Sequence, residues 1–290
     1  MFGLILAAAI PLLTNEAFNV QCHLDAAGFS VNTIDGTWGG KSRRAKELYL
    51  KAGNTLPNTP YPMKMVSVSE LDLNELVDMP KDPEAKADLE YLGYETIKEM
   101  YAEKGHVSQK CLARLNPEIT NWKEIQPGTL IRIPDFDLDS AAGKYLEAER
   151  NQAATIRISL SRCEVCVYDK TGRQIGFFPC SIAASKAKLP PHGELKITSL
   201  IENPNYTYTP DDIPEGSTNA VKRYIYEPGP NNPVGIAWVG LDLPGYGIHG
   251  TPIPERVGNA ESHGCFRLAN WNAYRLFKFC TKQTKVYVEP

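Results

Sequence analysis

No stretch of this 290-residue sequence approaches the roughly 20 consecutive apolar residues that a membrane-spanning helix needs, which excludes an integral channel or transporter. A basic excess is also lacking. Against 31 Lys and Arg stand 34 Asp and Glu, a formal charge of −3, so nucleic acid is not an obvious partner. The HExxH signature of zinc hydrolases is missing, as is any paired CxxC with finger-like downstream spacing. Turn formers are plentiful instead. With 22 Gly and 22 Pro, coiled coil and all-helical solenoid are disfavoured, while 42% apolar residues suffice for a sizeable core and the length suits about two domains.

Phe2 to Leu13 form a mostly apolar run with the length of a signal-peptide h-region, although no Lys or Arg precedes it and no small-x-small cleavage site precedes Asn15. Export is the expectation for residues 1–14, a buried N-terminal helix the plain alternative. Seven cysteines, in an exported protein, suggest pairs plus one free thiol. Cys163 and Cys180 flank a hairpin turn at Asp169-Lys170-Thr171-Gly172 and would face each other across it. Cys166 with Cys280 and Cys22 with Cys111 are other pairings, and buried reduced thiols are equally compatible with the sequence.

Residues 15–54 read as a small helical unit. Val20 and Leu24 share one helical face ended by Gly28; a second helix starts near Ser42, carries Ala45, Leu48 and Tyr49 at i, i+3, i+4, and closes at Gly53. Residues 55–90 are Pro-rich and lack a sustained period, the texture of a linker or insert. In 91–136, Ile97, Met100 and Tyr101 mark a helix ended by Gly105, Ser108 caps another with Leu112 and Leu115, and Pro127-Gly128 turns into a strand with Ile131 and Ile133. Residues 137–152 are helix-like and connect to 153–290, where alternation takes over. Strands are expected at Ile156 to Leu160, Val165 to Tyr168, Ile175 to Ile182, Leu195 to Ile201, Ile236 to Leu241 and Lys285 to Val288. One helix interrupts them, with Asn270 as its expected cap and Ala273, Leu276, Phe277 and Cys280 on its apolar face. The long segment Asn203 to Pro233 is a candidate lid. A mainly β C-terminal domain with one packed helix, preceded by small α and α+β modules, is the expected fold class.

The chemistry concentrates in Tyr246-Gly247-Ile248-His249-Gly250-Thr251 and Ser262-His263-Gly264-Cys265-Phe266-Arg267-Leu268. A thiol with an ordinary pKa near 8.5 is mostly protonated at neutral pH, so a nucleophilic cysteine needs an imidazole to take its proton. Either His249 or His263 serves in principle. In an extended segment His263 and Cys265 leave the same face, whereas His249 must be brought in by the fold. Backbone N–H groups around Gly264 and Cys265 can converge on an oxyanion. Two plainer readings stand beside this one: Cys265 as a small buried hydrophobe, or the three residues as zinc ligands. Trp238 and Tyr246 lie near enough in sequence to line a peptide groove, or belong to the core.

Three resemblances attach to these segments. AFNVQCHLDAAGFSVNTIDGTWGGKSRRAKELYL resembles a helical peptidoglycan-binding repeat, through Gly28, Ile34-Asp35-Gly36, Trp38-Gly39 and Ala45. GYETIKEMYAEKGHVSQKCLARLNPEITNWKEIQPGTLIRIP is similar to a LysM carbohydrate-binding module, through Leu115-Asn116-Pro117 and Pro127-Gly128, but its expected first strand is not visible. The pairing of HGT with SHGCFRL, after the strand PVGIAWVGL, resembles the catalytic domain of the L,D-transpeptidases, the YkuD family, with a β-sandwich fold.

That resemblance implies Cys265 as nucleophile, His249 as general base and acid, His263 in support, Ser262 and Gly264 shaping the loop and oxyanion site, and Arg267 holding the site together or meeting a substrate carboxylate. Gly250, Thr251, Tyr246 and Trp238 are the implied substrate neighbours. The implied reaction is acyl transfer on peptidoglycan stem peptides in the periplasm or wall of a bacterium, without metal or organic cofactor and with carbapenems as covalent inhibitors. A non-catalytic peptidoglycan-binding protein is the competing expectation.

Overall fold

The computed structural model describes residues 15–136, 150–183, 189–210, 222–258, 260–262 and 264–290. The apolar N-terminal run, nearly all of the expected connecting helix and His263 lie outside the described residues. The N-terminal half opens with α1 (Glu16–Ala26) and α2 (Gly40–Lys51). Asn15 caps α1, its side chain accepting from the Phe18 N–H, and Gly28 beyond the helix takes φ +81°, a left-handed conformation that suits glycine.

Residues 55–90 are more than a linker. They contribute β1 (Met63–Ser67), α3 (Glu70–Asn74) and α4 (Pro83–Ala87), and α5 (Ile97–Lys104), α6 (Gln109–Leu115) and β2 (Leu130–Pro134) follow. β1 pairs antiparallel with β2, Met65 opposite Arg132, so it supplies the strand that the sequence does not display ahead of α5 and α6. The proline-rich flanks hide it, and its residues are only half-buried, which blurs the alternation. Thr96 and Ser108 cap α5 and α6 through their hydroxyls. Phe18, Leu24, Ile34, Leu48, Tyr101, Leu112 and Ile131 belong to one continuous core, so the two small modules are packed as a single unit.

The C-terminal half is mainly β, as expected. Its strands are β3 (Thr155–Ser159), β4 (Glu164–Tyr168), β5 (Gln174–Pro179), β6 (Ile182–Ala183), β7 (Gly193–Glu202), β8 (Tyr206–Tyr208), β9 (Tyr224–Tyr226), β10 (Ala237–Leu241), β11 (Gly247–His249), β12 (Ala260–Ser262), β13 (Phe266–Arg267) and β14 (Lys285–Glu289); α7 spans Asn270–Phe279 before β14. Eight strands hydrogen-bond in the order β13-β11-β10-β7-β14-β3-β4-β5. The ten-residue β7 turns the corner: Gly193 to Lys196 pair with β14, and Ile197 to Glu202 pair with β10. Ile156, Val165, Phe178, Val239, Ile248, Phe266, Leu276 and Val286 fill the core that the curled sheet encloses with α7.

All seven cysteines are free thiols, and Cys163 and Cys180 meet across the β4–β5 hairpin as the turn chemistry implied, the Cys180 N–H donating to the Cys163 carbonyl at 2.8 Å. Asn270 is not the cap of α7. Ala269 occupies that position without a side-chain bond, and Asn270 is the first helical residue, its amide buried and directed elsewhere.

Candidate active site

Strand register assembles the site. In β10 and β11 Trp238 lies opposite His249, in β7 and β10 Ile201 lies opposite Trp238, and in the parallel pair β11 and β13 His249 lies beside Arg267. Paired residues share a sheet face, so Ile201, Trp238, His249 and Arg267 form a row across four strands. Cys265 precedes β13, two residues from Arg267, and by the same alternation emerges on that face, diagonal to His249. The row and Cys265 line one cavity of about 430 Å³, with Gly245, Pro204, Asn205, Tyr206, Thr207, Pro233 and Val234 completing its wall. The fold thus brings in His249, which sequence proximity alone did not select.

His249 is 3% exposed. Its Nδ1 lies 2.7 Å from the Gly250 carbonyl, which can only accept, so the proton sits on Nδ1 and Nε2 keeps its lone pair. Burial lowers its pKa to about 4, reinforced by the Arg267 charge and opposed by the Gly250 bond, so the ring is a neutral base throughout the physiological range. Burial also raises the Cys265 thiol, against a backbone hydrogen bond from Gly247 and the Arg267 charge. Its Sγ lies 3.2 Å from the Gly245 carbonyl, to which the S–H donates. The resting pair is therefore thiol and imidazole rather than thiolate and imidazolium.

The indole of Trp238 stacks on the His249 ring, centroids 5.4 Å apart and planes 19° from parallel. Two glycines admit it: a Cβ on Gly247 would lie 2.6 Å from the indole carbons, and one on Gly240 would lie 2.6 Å from Nε1. Gly264 takes φ +147°, so the residue before the thiol is held where a side chain would be strained. Gly250 meets the His249 ring through its carbonyl and is not among the residues lining the cavity. Thr251 is buried and accepts from the Ile253 N–H at 3.4 Å, and neither it nor Tyr246 is among the residues lining the cavity. Ser262 ends β12, which pairs with β6. The Arg267 guanidinium borders the cavity, and its buried Nε has no hydrogen-bond partner among the described residues.

Residues 153–288 match the family profile described as the L,D-transpeptidase catalytic domain, YkuD. They form a YkuD-family domain. YqjB of Bacillus subtilis strain 168, provisionally assigned as an L,D-transpeptidase, is 35% identical over 114 residues, covering 37% of this chain and 57% of that protein. YkuD of Bacillus licheniformis, assigned in the same way, is 36% identical over 77 residues, 27% of this chain and 45% of its own. The chain thus spans about half the length of these curated relatives. Among solved structures, L,D-transpeptidase 3 from Mycobacterium tuberculosis superposes with a TM-score of 0.38 at 18% identity, over 48% of this chain and 61% of that one.

The sequence reading of the YkuD domain missed Ile201, Val234 and Gly245 as cavity residues, whereas Pro204, Asn205, Tyr206, Thr207 and Pro233 fall in the segment read as a candidate lid. For Ile201 plain alternation misleads, since it groups Ile201 with the buried Ile197, whereas a bulge in the β7–β10 pairing puts Ile201 with Ser199 on the face of Trp238. Nothing local marked Val234 or Gly245. The candidate lid is in part a two-stranded ribbon, with Tyr206 opposite Tyr226 and Tyr208 opposite Tyr224, whose Tyr206 and Thr207 border the cavity; residues 211–221 lie outside the described residues.

Proposed function

We propose that this protein is a cysteine acyltransferase of peptidoglycan, working outside the cytoplasm. The observation that carries the reading is a neutral His249, fixed by the Gly250 carbonyl, lining the same cavity as a protonated Cys265. His249 Nε2 takes the proton of the Cys265 thiol as Sγ attacks the carbonyl carbon of the third residue of a donor tetrapeptide stem. Backbone N–H groups around Gly264 and Cys265 receive the developing oxyanion. Collapse of the tetrahedral adduct breaks the bond to the terminal D-alanine, whose amine leaves with the proton from His249, and a thioester remains on Cys265. An acceptor amine from a second stem then attacks the thioester and forms a cross-link between third residues, or water attacks and the stem is trimmed.

Trp238 braces the imidazole, and Arg267 meets a stem carboxylate while its charge disfavours imidazolium and favours thiolate. His263 and Ser262 support the loop, and Thr251 and Tyr246 act from outside the cavity wall. The test is intact-protein mass after incubation with a disaccharide-tetrapeptide and, separately, with a carbapenem. A covalent adduct on wild type and none on folded Cys265→Ala, with D-alanine released from the tetrapeptide, is expected. Absence of both adducts on folded wild type with a titratable thiol would leave the wall-binding scaffold as the better account.

A further inference from the structure

We propose that Glu103 and Asn270 form a carboxylic-acid–carboxamide pair, a proton on Glu103 Oε1 bonding Asn270 Oδ1, and that this pair positions the Gly250 carbonyl behind His249. Asn270 Nδ2 donates to Glu103 Oε2 and to the Pro230 carbonyl, each at 3.0 Å. Two buried oxygens remain, Glu103 Oε1 and Asn270 Oδ1, and neither has a hydrogen-bond partner among the described residues. Both are acceptors as drawn, one on each side of the same N–H···O bond. A single proton on the carboxyl turns one of them into a donor and satisfies both, closing a cyclic pair. An ionised Glu103 would leave two orphaned acceptors and an uncompensated buried charge.

The surroundings favour the proton. Burial pushes the Glu103 carboxyl up to about 8, Glu99 on its own helix and Glu255 from the turn at Pro254–Arg256 push the same way, and only the Asn270 bond opposes. Among the described residues Tyr94 also faces it, and its own pKa is raised well above the ordinary value by burial and by Glu103.

The positioning follows from a notch of two glycines. A Cβ on Gly235 would lie 2.1 Å from Asn270 Oδ1, and one on Gly250 would lie 2.3 Å from it, so the amide is wedged against the backbone that bears the Gly250 carbonyl. That carbonyl holds the His249 Nδ1 proton at 2.7 Å. Glu103 on α5 of the N-terminal unit thus reaches the catalytic imidazole through one amide and one peptide group. The positioning part rests on His249 being the base; the existence of the pair does not.

Infrared difference spectra tested against pH read the pair directly. Wild type is expected to show a protonated carboxyl C=O band that bleaches with a midpoint near 8, absent from Glu103→Gln. The glutamine amide supplies donor and acceptor without titrating. Glu103→Gln should therefore lose the fall in unfolding temperature that wild type shows as pH rises toward 8, and should keep the wild-type rate of Cys265 alkylation by iodoacetamide, followed by peptide mass. Glu103→Ala, where folded, should alter the pH profile of that alkylation. A wild type without the band, or a Glu103→Gln protein titrating as wild type does, overturns the pair. An unchanged alkylation profile in folded Glu103→Ala overturns the positioning. A failed acylation assay leaves the infrared and thermal readouts untouched, so the two readings fail separately.

Discussion

As the base proposed above, His249 faces two opposing requirements: it must be unprotonated, yet it must also be held still. Burial meets the first by lowering the pKa to about 4, and the Gly250 carbonyl meets the second by taking the Nδ1 proton. The consequence for rate has a definite sign. An ordinary histidine near 6.5 would lose its base function as pH falls below neutrality, whereas His249 keeps it until pH approaches about 4. Acylation by a carbapenem, followed by stopped flow, should hold level between about pH 5 and about pH 7 and fall off only in stronger acid. An acid limb centred near 6.5 would mean that the ring is solvated in the working enzyme. The same shift bears on stability: the folded state binds fewer protons than the unfolded chain between about 4 and 6.5, so stability rises with pH across that window and is lost below it. The motifs HGT and SHGCFRL named His249 and Cys265 as candidates. Their approach was not legible from spacing, because it depends on β11 lying beside β13, a pairing between segments that the motif loop separates.

Among the elements, the loop between the two motifs is held from behind by the N-terminal unit. The Asn32 amide donates to the Pro254 carbonyl at 2.7 Å in a buried setting, and Lys41 Nζ on α2 donates to the Val257 carbonyl beside Gly258. Asn32 has φ +74°, so glycine can delete the side chain without adding backbone strain. Asn32→Gly should cost about 1–3 kcal/mol, the usual consequence of leaving a buried carbonyl unpaired. Hydrogen exchange should quicken at 250–258 and stay unchanged in β3 and β4; uniform quickening would assign the loss to global stability instead.

Element existence was readable where local chemistry sufficed: Ser108 as a cap, Asp169 to Gly172 as a turn. In that turn the Asp169 carboxylate accepts from the N–H groups of Thr171 and Arg173. β1 was not readable, because a half-buried strand between prolines carries little period. Asn270 misled for a physical reason. Asparagine before an apolar helix ordinarily caps it, but here tertiary burial against Glu103 and the glycine notch took its amide instead.

For the whole molecule, the N-terminal unit and the C-terminal half are joined by buried contacts. Phe177 on β5 is buried in the core of the N-terminal unit. Its N–H donates to Gly28 and its carbonyl accepts from Ser30, both at 2.8 Å. Arg275 on α7 donates to the carbonyls of Asp25 and Ala26, Arg44 on α2 grips Glu164 on β4 through both carboxylate oxygens at 3.1 Å, and Leu92 donates to the Pro228 carbonyl at 2.9 Å. Each junction buries backbone polar groups that a separated half would expose or leave unpaired, and Phe177 would carry its ring into water at a cost of about 1.5–3 kcal/mol. The two halves should therefore unfold together. Calorimetry of the full chain should give one transition with equal calorimetric and van't Hoff enthalpies, and a fragment of residues 150–290 should lack dispersed amide resonances. Two separate transitions, or a folded fragment that still acylates, would show the N-terminal unit to be an appended module. The joint fold gives that unit contacts that its sequence did not announce: Asn32 and Lys41 hold the loop that carries Pro254 and Val257, and Glu103 accepts from the Asn270 amide.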